Sequence, residues 1–321
     1  MKVLVSGGAG LIGSHLADFL LAGDDQVTVV DDFSTGRRAN IDHLADDDRF
    51  HVIEADLTRD LPPGFAAGRY DRIYHLASPA SPPDFVRRPL ETLLVNSVGT
   101  RVLLDLAQAS GARFLFASTS EVYGDPLVHP QTETYWGNVN PIGPRSCYDE
   151  AKRFAESLTV AMTRTTGVDV RIARIFNTYG PRSRPDDGRL IPSFCSQALR
   201  GEPLTIFGDG SQTRSFCYVT DLVRGLVSLM EAPGLMGEVV NLGNPREMTI
   251  LEVAERVRAL TGTASPLIHQ PLPTDDPTRR QPDIAKARRL LGWEPEIDLD
   301  DGLRRTLDAF RATLSPEPQL R

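Results

Sequence analysis

Cysteine, tryptophan and surplus positive charge are scarce in this chain. Of its 321 residues only three are cysteines, Cys147, Cys195 and Cys217, an odd number without metal-site spacing. That excludes a disulfide framework and a zinc module, and it fits a reducing compartment. Lys and Arg together number 35 against 43 Asp and Glu, a net charge of −8. Without a basic surplus no phosphate backbone can be held by counterion release, so nucleic acid is not an expected partner. An anionic ligand would need local arginines. No apolar run approaches the roughly 20 residues that span a bilayer, and the strand-like Lys2-Val3-Leu4-Val5-Ser6 follows Met1 directly. The expectation is a cytoplasmic protein with no membrane partner. Internal repeats, low-complexity tracts and heptads are missing too.

What is present is a hydrophobic content of 40%, enough for a large core. The length suggests about two domains. Up to about residue 175, β-branched runs alternate with helical patterns, as in a parallel sheet with crossover helices. Strands are expected at Val3–Ser6, Gln26–Asp31, Phe50–Glu54, Arg72–Leu76, Arg113–Ser118 and Asp169–Arg174. Leu90, Leu93, Leu94, Val98, Val102, Leu103 and Leu106 share one face of a long helix, and a second runs from about Cys147 to Thr166. Past Phe176 the proline and glycine density rises and strands shorten. Helical patterns return at Val219–Glu231, Ile250–Leu260 and Asp300–Leu314. The expected fold is α/β: a Rossmann-like doubly wound parallel sheet over 1–176, and a smaller C-terminal α/β substrate-binding domain over 177–321 with some chain exchange between them. The run Asp46-Asp47-Asp48 reads as a solvated turn.

Gly7-Gly8-Ala9-Gly10-Leu11-Ile12-Gly13 follows the first strand and opens a helix. Glycines at 7, 10 and 13 permit a tight turn, close approach of backbone to a pyrophosphate, and close packing of helix on strand. The helix amino terminus offers free N–H groups to phosphates. Asp31, about 20 residues on at the end of the next strand, stands where a ribose hydroxyl partner belongs. Its carboxylate would repel a ribose 2′-phosphate, which favours NAD over NADP, although Arg37 or Arg38 could reach such a phosphate. Asp56 either bonds the adenine edge or caps a turn.

Tyr148 and Lys152 stand four apart, one helical turn on the same face. An ammonium beside a phenol stabilises the phenolate and makes it a usable base for a sugar hydroxyl. Ser118-Thr119-Ser120-Glu121-Val122-Tyr123-Gly124 ends the fifth expected strand, where ligands collect in open parallel sheets. Thr119 can donate to an oxygen that becomes a carbonyl. His75 reads as a packed strand residue, and Cys147 as helix packing.

Taken with Arg174-Ile175-Phe176-Asn177-Thr178-Tyr179-Gly180-Pro181-Arg182, these motifs resemble the extended short-chain dehydrogenases that modify nucleotide sugars. Finer similarity to UDP-glucuronate decarboxylases (UDP-xylose synthases) rests on proline-rich segments: His75 to Pro83, Gly124 to Gln131, Tyr135 to Arg145, Gly208 to Arg214 and Asp275 to Ile284. It spans almost the whole chain. The resemblance implies NAD as cofactor and UDP-glucuronate as substrate, with Thr119, Tyr148 and Lys152 oxidising the sugar at C4. Glu121 and Arg280 are candidates for handling the sugar carboxylate and C5 protonation; Arg280 could instead form a surface ion pair with Asp275 or Asp276. Leu11, Ile12, Asp32, Phe33, Thr35, Gly36, Leu57, Leu76 and Ser78 complete the implied cofactor set. Ser81, Asn177, Arg182 and Arg214 join the substrate set. Dehydratases of the superfamily usually carry Asp where this chain has Ser120, which argues against dehydration. A UDP-glucuronate 4-epimerase, a thymidine-linked sugar dehydratase and a silent NAD-binding regulator remain alternatives. The resemblance also implies a homodimer through a four-helix interface built from Leu90–Ser110 and Cys147–Thr166. No metal is expected.

Overall fold

The computed structural model describes residues 1–59 and 61–314. Six expected runs pair side by side as Lys2–Ser6 (β1), Gln26–Asp31 (β2), Phe50–Glu54 (β3), Arg72–His75 (β4), Arg113–Thr119 (β5) and Val170–Ile175 (β6). Val239–Leu242 (β7) arrives from far down the chain and completes a parallel sheet in the order β3-β2-β1-β4-β5-β6-β7. Helices cover both faces, so the strands need apolar residues on both sides instead of alternation. Val3, Leu4 and Val5 in β1 and Phe114, Leu115 and Phe116 in β5 are accordingly shut off from solvent. Strand order reverses at β1, between β2 and β4, and the crevice beyond the carboxyl ends of β1 and β4 is where such sheets take their ligands.

The helix expected across Leu90 to Leu106 is two straight pieces, Pro89–Leu94 and Thr100–Ser110, joined by a wider π-helical turn over Val95–Gly99. Periodicity alone could not show this turn, because it inserts backbone without breaking the apolar stripe. Its effect is to aim polar side chains inward. Asn96 Nδ2 donates to Ser78 Oγ at 2.9 Å, and Thr100 Oγ1 meets His75 Nε2 at 3.0 Å. His75 is fully buried, with Nδ1 2.7 Å from Ser6 Oγ, and burial first, then the Lys152 charge, hold its pKa down to about 3. It is a neutral packing residue.

Beyond Phe176 the chain builds helices Leu190–Arg200, Ile250–Thr261 and Leu299–Leu314 around short strands. Thr249 and Glu252 cap the second of these reciprocally. The apolar core is continuous with that of the sheet: Val3, Leu16 and Val29 belong to the same cluster as Phe194, Leu226 and Val253. Strand Thr213–Ser215 lies between Glu247–Thr249 and Arg279–Arg280, in a register that sets Arg214 beside Arg280. Among the described residues no helix is long and apolar enough to cross a membrane, and no cluster could hold a metal.

Candidate active site

A cavity of about 800 Å³ opens between the carboxyl ends of the strands and the smaller part of the molecule. Its floor at one end is the glycine turn. Gly7 is left-handed at φ 72°, and a Cβ there would lie 2.7 Å from the Ala77 nitrogen. A Cβ on Gly13 would overlap the Gly7 carbonyl. Only glycine lets helix, turn and strand approach this closely. Asp31 fixes the turn from the side: its carboxylate accepts from the N–H groups of Ala9 and Phe33, both at 2.9 Å. Burial pushes the Asp31 pKa up, and those two hydrogen bonds oppose the rise.

Of the residues expected at the cofactor, Gly7, Gly10, Leu11, Ile12, Gly13, Thr35, Leu76, Ser78, Tyr148 and Lys152 line the cavity. Asp32 caps its own turn by accepting from Ser34 N–H at 2.9 Å, and Gly36 packs against the Asp31 carboxylate. Asp56 spends its carboxylate on Thr58 and Arg59, as a turn cap does, while Leu57 is buried against Gly99. Neither candidate for a 2′-phosphate is free. Arg37 donates to the carbonyls of Arg182 and Ser183 at 3.2 and 3.3 Å, and Arg38 pairs with Glu54 while lying over the Phe33 ring.

At the centre, Tyr148 is buried with its ring stacked on Phe85, centroids 5.1 Å apart. Glu121 N–H donates to Thr119 Oγ1 at 3.2 Å, which leaves the Thr119 proton free for the Tyr148 oxygen. Burial, and secondly the Glu121 charge, push the Tyr148 pKa up to about 12, with the Thr119 hydrogen bond working the other way. Lys152 Nζ donates to Ala117 O at 2.9 Å, and burial pulls its pKa down to about 7. Both shifts come from desolvation and run against the phenolate expected from the Tyr148–Lys152 spacing, because burial disfavours the charged form of each group.

Glu121 faces the same cavity and is gripped by two arginines. Arg280 holds both of its oxygens, and Arg145 NH2 donates to Oε2 at 2.9 Å. Burial would raise the Glu121 pKa, but the two guanidiniums outweigh it and hold it at about 2. The surface pairing of Arg280 with Asp275 or Asp276 is therefore not what forms: Arg280 is 3% exposed and spent on Glu121. Asp276 goes to Arg214 instead, at 2.8 Å. Ser81, Asn177, Arg182, Arg214 and Arg280 all line the cavity. Arg182, left-handed at φ 69°, pairs with Asp18 of the helix Leu11–Ala22 at 2.7 Å and meets His43. Sequence reasoning missed Arg145 and the Arg184–Asp84 pair at 2.8 Å, and gave Asp276 only as a possible surface partner of Arg280. Arg145 stands three residues before Tyr148, the one local hint available; the other partners meet only through tertiary contacts.

Residues 4–306 match the family described as GDP-mannose 4,6 dehydratase, and the chain belongs to that family of extended short-chain dehydrogenases. Within it, the chain belongs with the UDP-glucuronic acid decarboxylases. It is 52% identical to UDP-glucuronic acid decarboxylase 1 of Danio rerio over 98% of this chain and 73% of that protein. Identity to UDP-glucuronic acid decarboxylase 4 of Arabidopsis thaliana is 53%, over 97% of this chain and 69% of that one. Among solved structures, the UDP-glucuronic acid 4-epimerase of Bacillus cereus in complex with UDP-glucuronic acid and NAD superposes with a TM-score of 0.89 at 31% identity, covering 98% of this chain and all of that one.

Proposed function

We propose that this enzyme converts UDP-glucuronate to UDP-xylose and CO₂, with NAD as a resident cofactor. One observation carries the reading: the Thr119–Tyr148–Lys152 group shares its cavity with a carboxylate, Glu121, clamped by Arg280. The first group suits reversible oxidation of a sugar hydroxyl. The second supplies charge where a sugar carboxylate would be lost and a carbon reprotonated.

The residues present fit NAD. The glycine cradle closes where a Cβ would fill it, Asp31 disfavours a 2′-phosphate, and Arg37 and Arg38 are otherwise engaged. When bound, NAD accepts hydride from C4 and later returns it. Tyr148 takes the proton of the C4 hydroxyl and Thr119 donates to the same oxygen, and Lys152 in its charged form would offset the burial that holds the Tyr148 phenol up at about 12. Oxidised at C4, the sugar is a β-keto acid, so the C5–carboxylate bond can break with its electrons flowing into the C4 carbonyl. Tyr148 and Thr119 hold the resulting enolate oxygen. Arg280, while holding Glu121, supplies positive charge to orient the leaving carboxylate, and the ionised Glu121 positions a solvent-exchanging water that gives its proton to C5. Asn177, Arg182 and Arg214 serve the uridine diphosphate, Arg214 as a forked donor to phosphate.

The same reading includes a cytoplasmic homodimer. Three free thiols support the compartment. Leu90, Leu94 and Val98 on one helical segment and Phe154 on its neighbour are more than 40% exposed, an apolar surface of the kind a second copy covers. Incubation with UDP-glucuronate tests the activity: CO₂ and a pentose nucleotide are expected. UDP-galacturonate without gas would instead assign the chain to 4-epimerisation.

A further inference from the structure

Five charged side chains cross the cavity in an unbroken alternation. Arg280 holds Glu121, Glu121 accepts from Arg145 at 2.9 Å, Arg145 Nη1 lies 3.7 Å from Asp276, and Asp276 accepts from Arg214 at 2.8 Å. All five line the cavity, and none exposes more than 26% of its side chain. Two features make this more than a stack of ion pairs. Arg145 is shared unequally between two carboxylates, close to Glu121 and loose to Asp276. Arg214, which holds Asp276 in its place, is also the arginine assigned above to the diphosphate.

We propose that Arg145 and Asp276 are positioning residues that couple occupation of Arg214 by a nucleoside diphosphate to the grip on Glu121. The inference rests on the decarboxylase reading for the meaning of Glu121, but its electrostatics do not. A diphosphate is a stronger forked acceptor for a guanidinium than one carboxylate. Once it takes Arg214, Asp276 loses its nearer cation and falls to Arg145. Arg145 then has less to give Glu121, which is left with Arg280 as its firm partner. The other charged or titratable groups around Glu121 are Tyr148 and Asp149 on the long helix and Arg214 itself. None of these can replace the lost guanidinium contact. Binding free energy from the nucleotide, remote from the reacting carbon, is thus spent on readying the carboxyl group beside it. Arg145 also lies 5.6 Å from the Phe85 ring that stacks on Tyr148, so its position is felt on both sides of the reacting sugar.

The test uses the NAD-loaded enzyme and UDP as probe, with affinity measured by calorimetry. Asp276→Asn frees Arg214 from a competitor and is expected to bind UDP at least about fivefold more tightly, while Arg145→Met drives Asp276 harder onto Arg214 and weakens UDP by a similar factor. In turnover, Asp276→Asn should lower KM for UDP-glucuronate and lower kcat at least about fivefold, because Arg145 can no longer be drawn off Glu121. Asp276→Glu should restore both. A merely structural role would weaken UDP binding in both variants. That result, or an unchanged kcat in Asp276→Asn, would overturn the coupling. Should Arg145→Met fail to fold, Arg145→Lys, which keeps the charge but cannot bridge two carboxylates, is expected to move UDP affinity in the same direction. Opposite UDP shifts in the two variants, alongside a wild-type enzyme that releases no CO₂, would keep the coupling between Arg214 and Arg145 and reject the decarboxylase reading alone.

Discussion

The two ends of the cavity are held together by different forces. At the end floored by the glycine turn backbone lies on backbone, and a few glycines decide whether turn, helix and strand can meet. At the end lined by the arginine–carboxylate chain the shape is set by charge between distant segments: Arg280 and Glu121 are 159 positions apart, Arg214 and Asp276 62. The first end should therefore be sensitive to added volume and the second to altered charge. Tyr148 sits between them and should be sensitive to a single oxygen.

That contrast can be broken in order of effect. Tyr148→Phe keeps the ring and its stack on Phe85, so fold and NAD content should survive while CO₂ release from UDP-glucuronate falls about 10³-fold. Activity near the wild-type level would detach this hydroxyl from the chemistry. Gly13→Ala adds one methyl where the Gly7 carbonyl stands. Overpacking of this kind costs about 1–3 kcal/mol, and the purified protein should carry much less NAD, read from the nucleotide released on denaturation. Full NAD content would show that the turn yields to volume after all.

The smallest effect concerns stability. Asp149 is buried, and burial, then the Glu121 charge, push its pKa from the ordinary 3.8 to about 7. A carboxyl raised in the folded state keeps its proton while the unfolded chain has lost it, so its contribution is fully present below about pH 3.8 and fades as pH climbs towards 7. Asp149→Asn removes that loss. Its melting temperature should decline less than that of the wild type across the window, by roughly 2–4 °C for each kcal/mol. Parallel curves would place the Asp149 proton elsewhere.

Legibility in the sequence follows the same division. The strands β1 to β6 and the helices at Ser146–Thr166, Val219–Glu231, Ile250–Thr261 and Leu299–Leu314 were readable within a residue or two, because burial leaves a composition and spacing signature that needs no partner to interpret, whereas the helix Leu190–Arg200 in the proline- and glycine-dense stretch was not. The glycine turn, Asp31 and the Tyr148–Lys152 spacing were readable for a related reason: their geometry is fixed within one turn or one strand–helix unit. Not readable were the π-helical turn at Val95–Gly99, the return of Val239–Leu242 to the sheet, and the true partner of Arg280. An arginine near two aspartates in sequence naturally suggests pairing with them. In the fold, Asp276 is taken by Arg214 and Arg280 is carried to Glu121.

By itself, then, the sequence determined the parallel arrangement of the first six strands, the glycine turn and the Tyr148–Lys152 spacing, since each depends on periodicity or spacing along a few consecutive residues. Only the tertiary structure decided which carboxylate each arginine serves and how far desolvation shifts Tyr148, Lys152 and Asp149. Those outcomes depend on which distant segments exclude water from one another, and local sequence does not encode that distance.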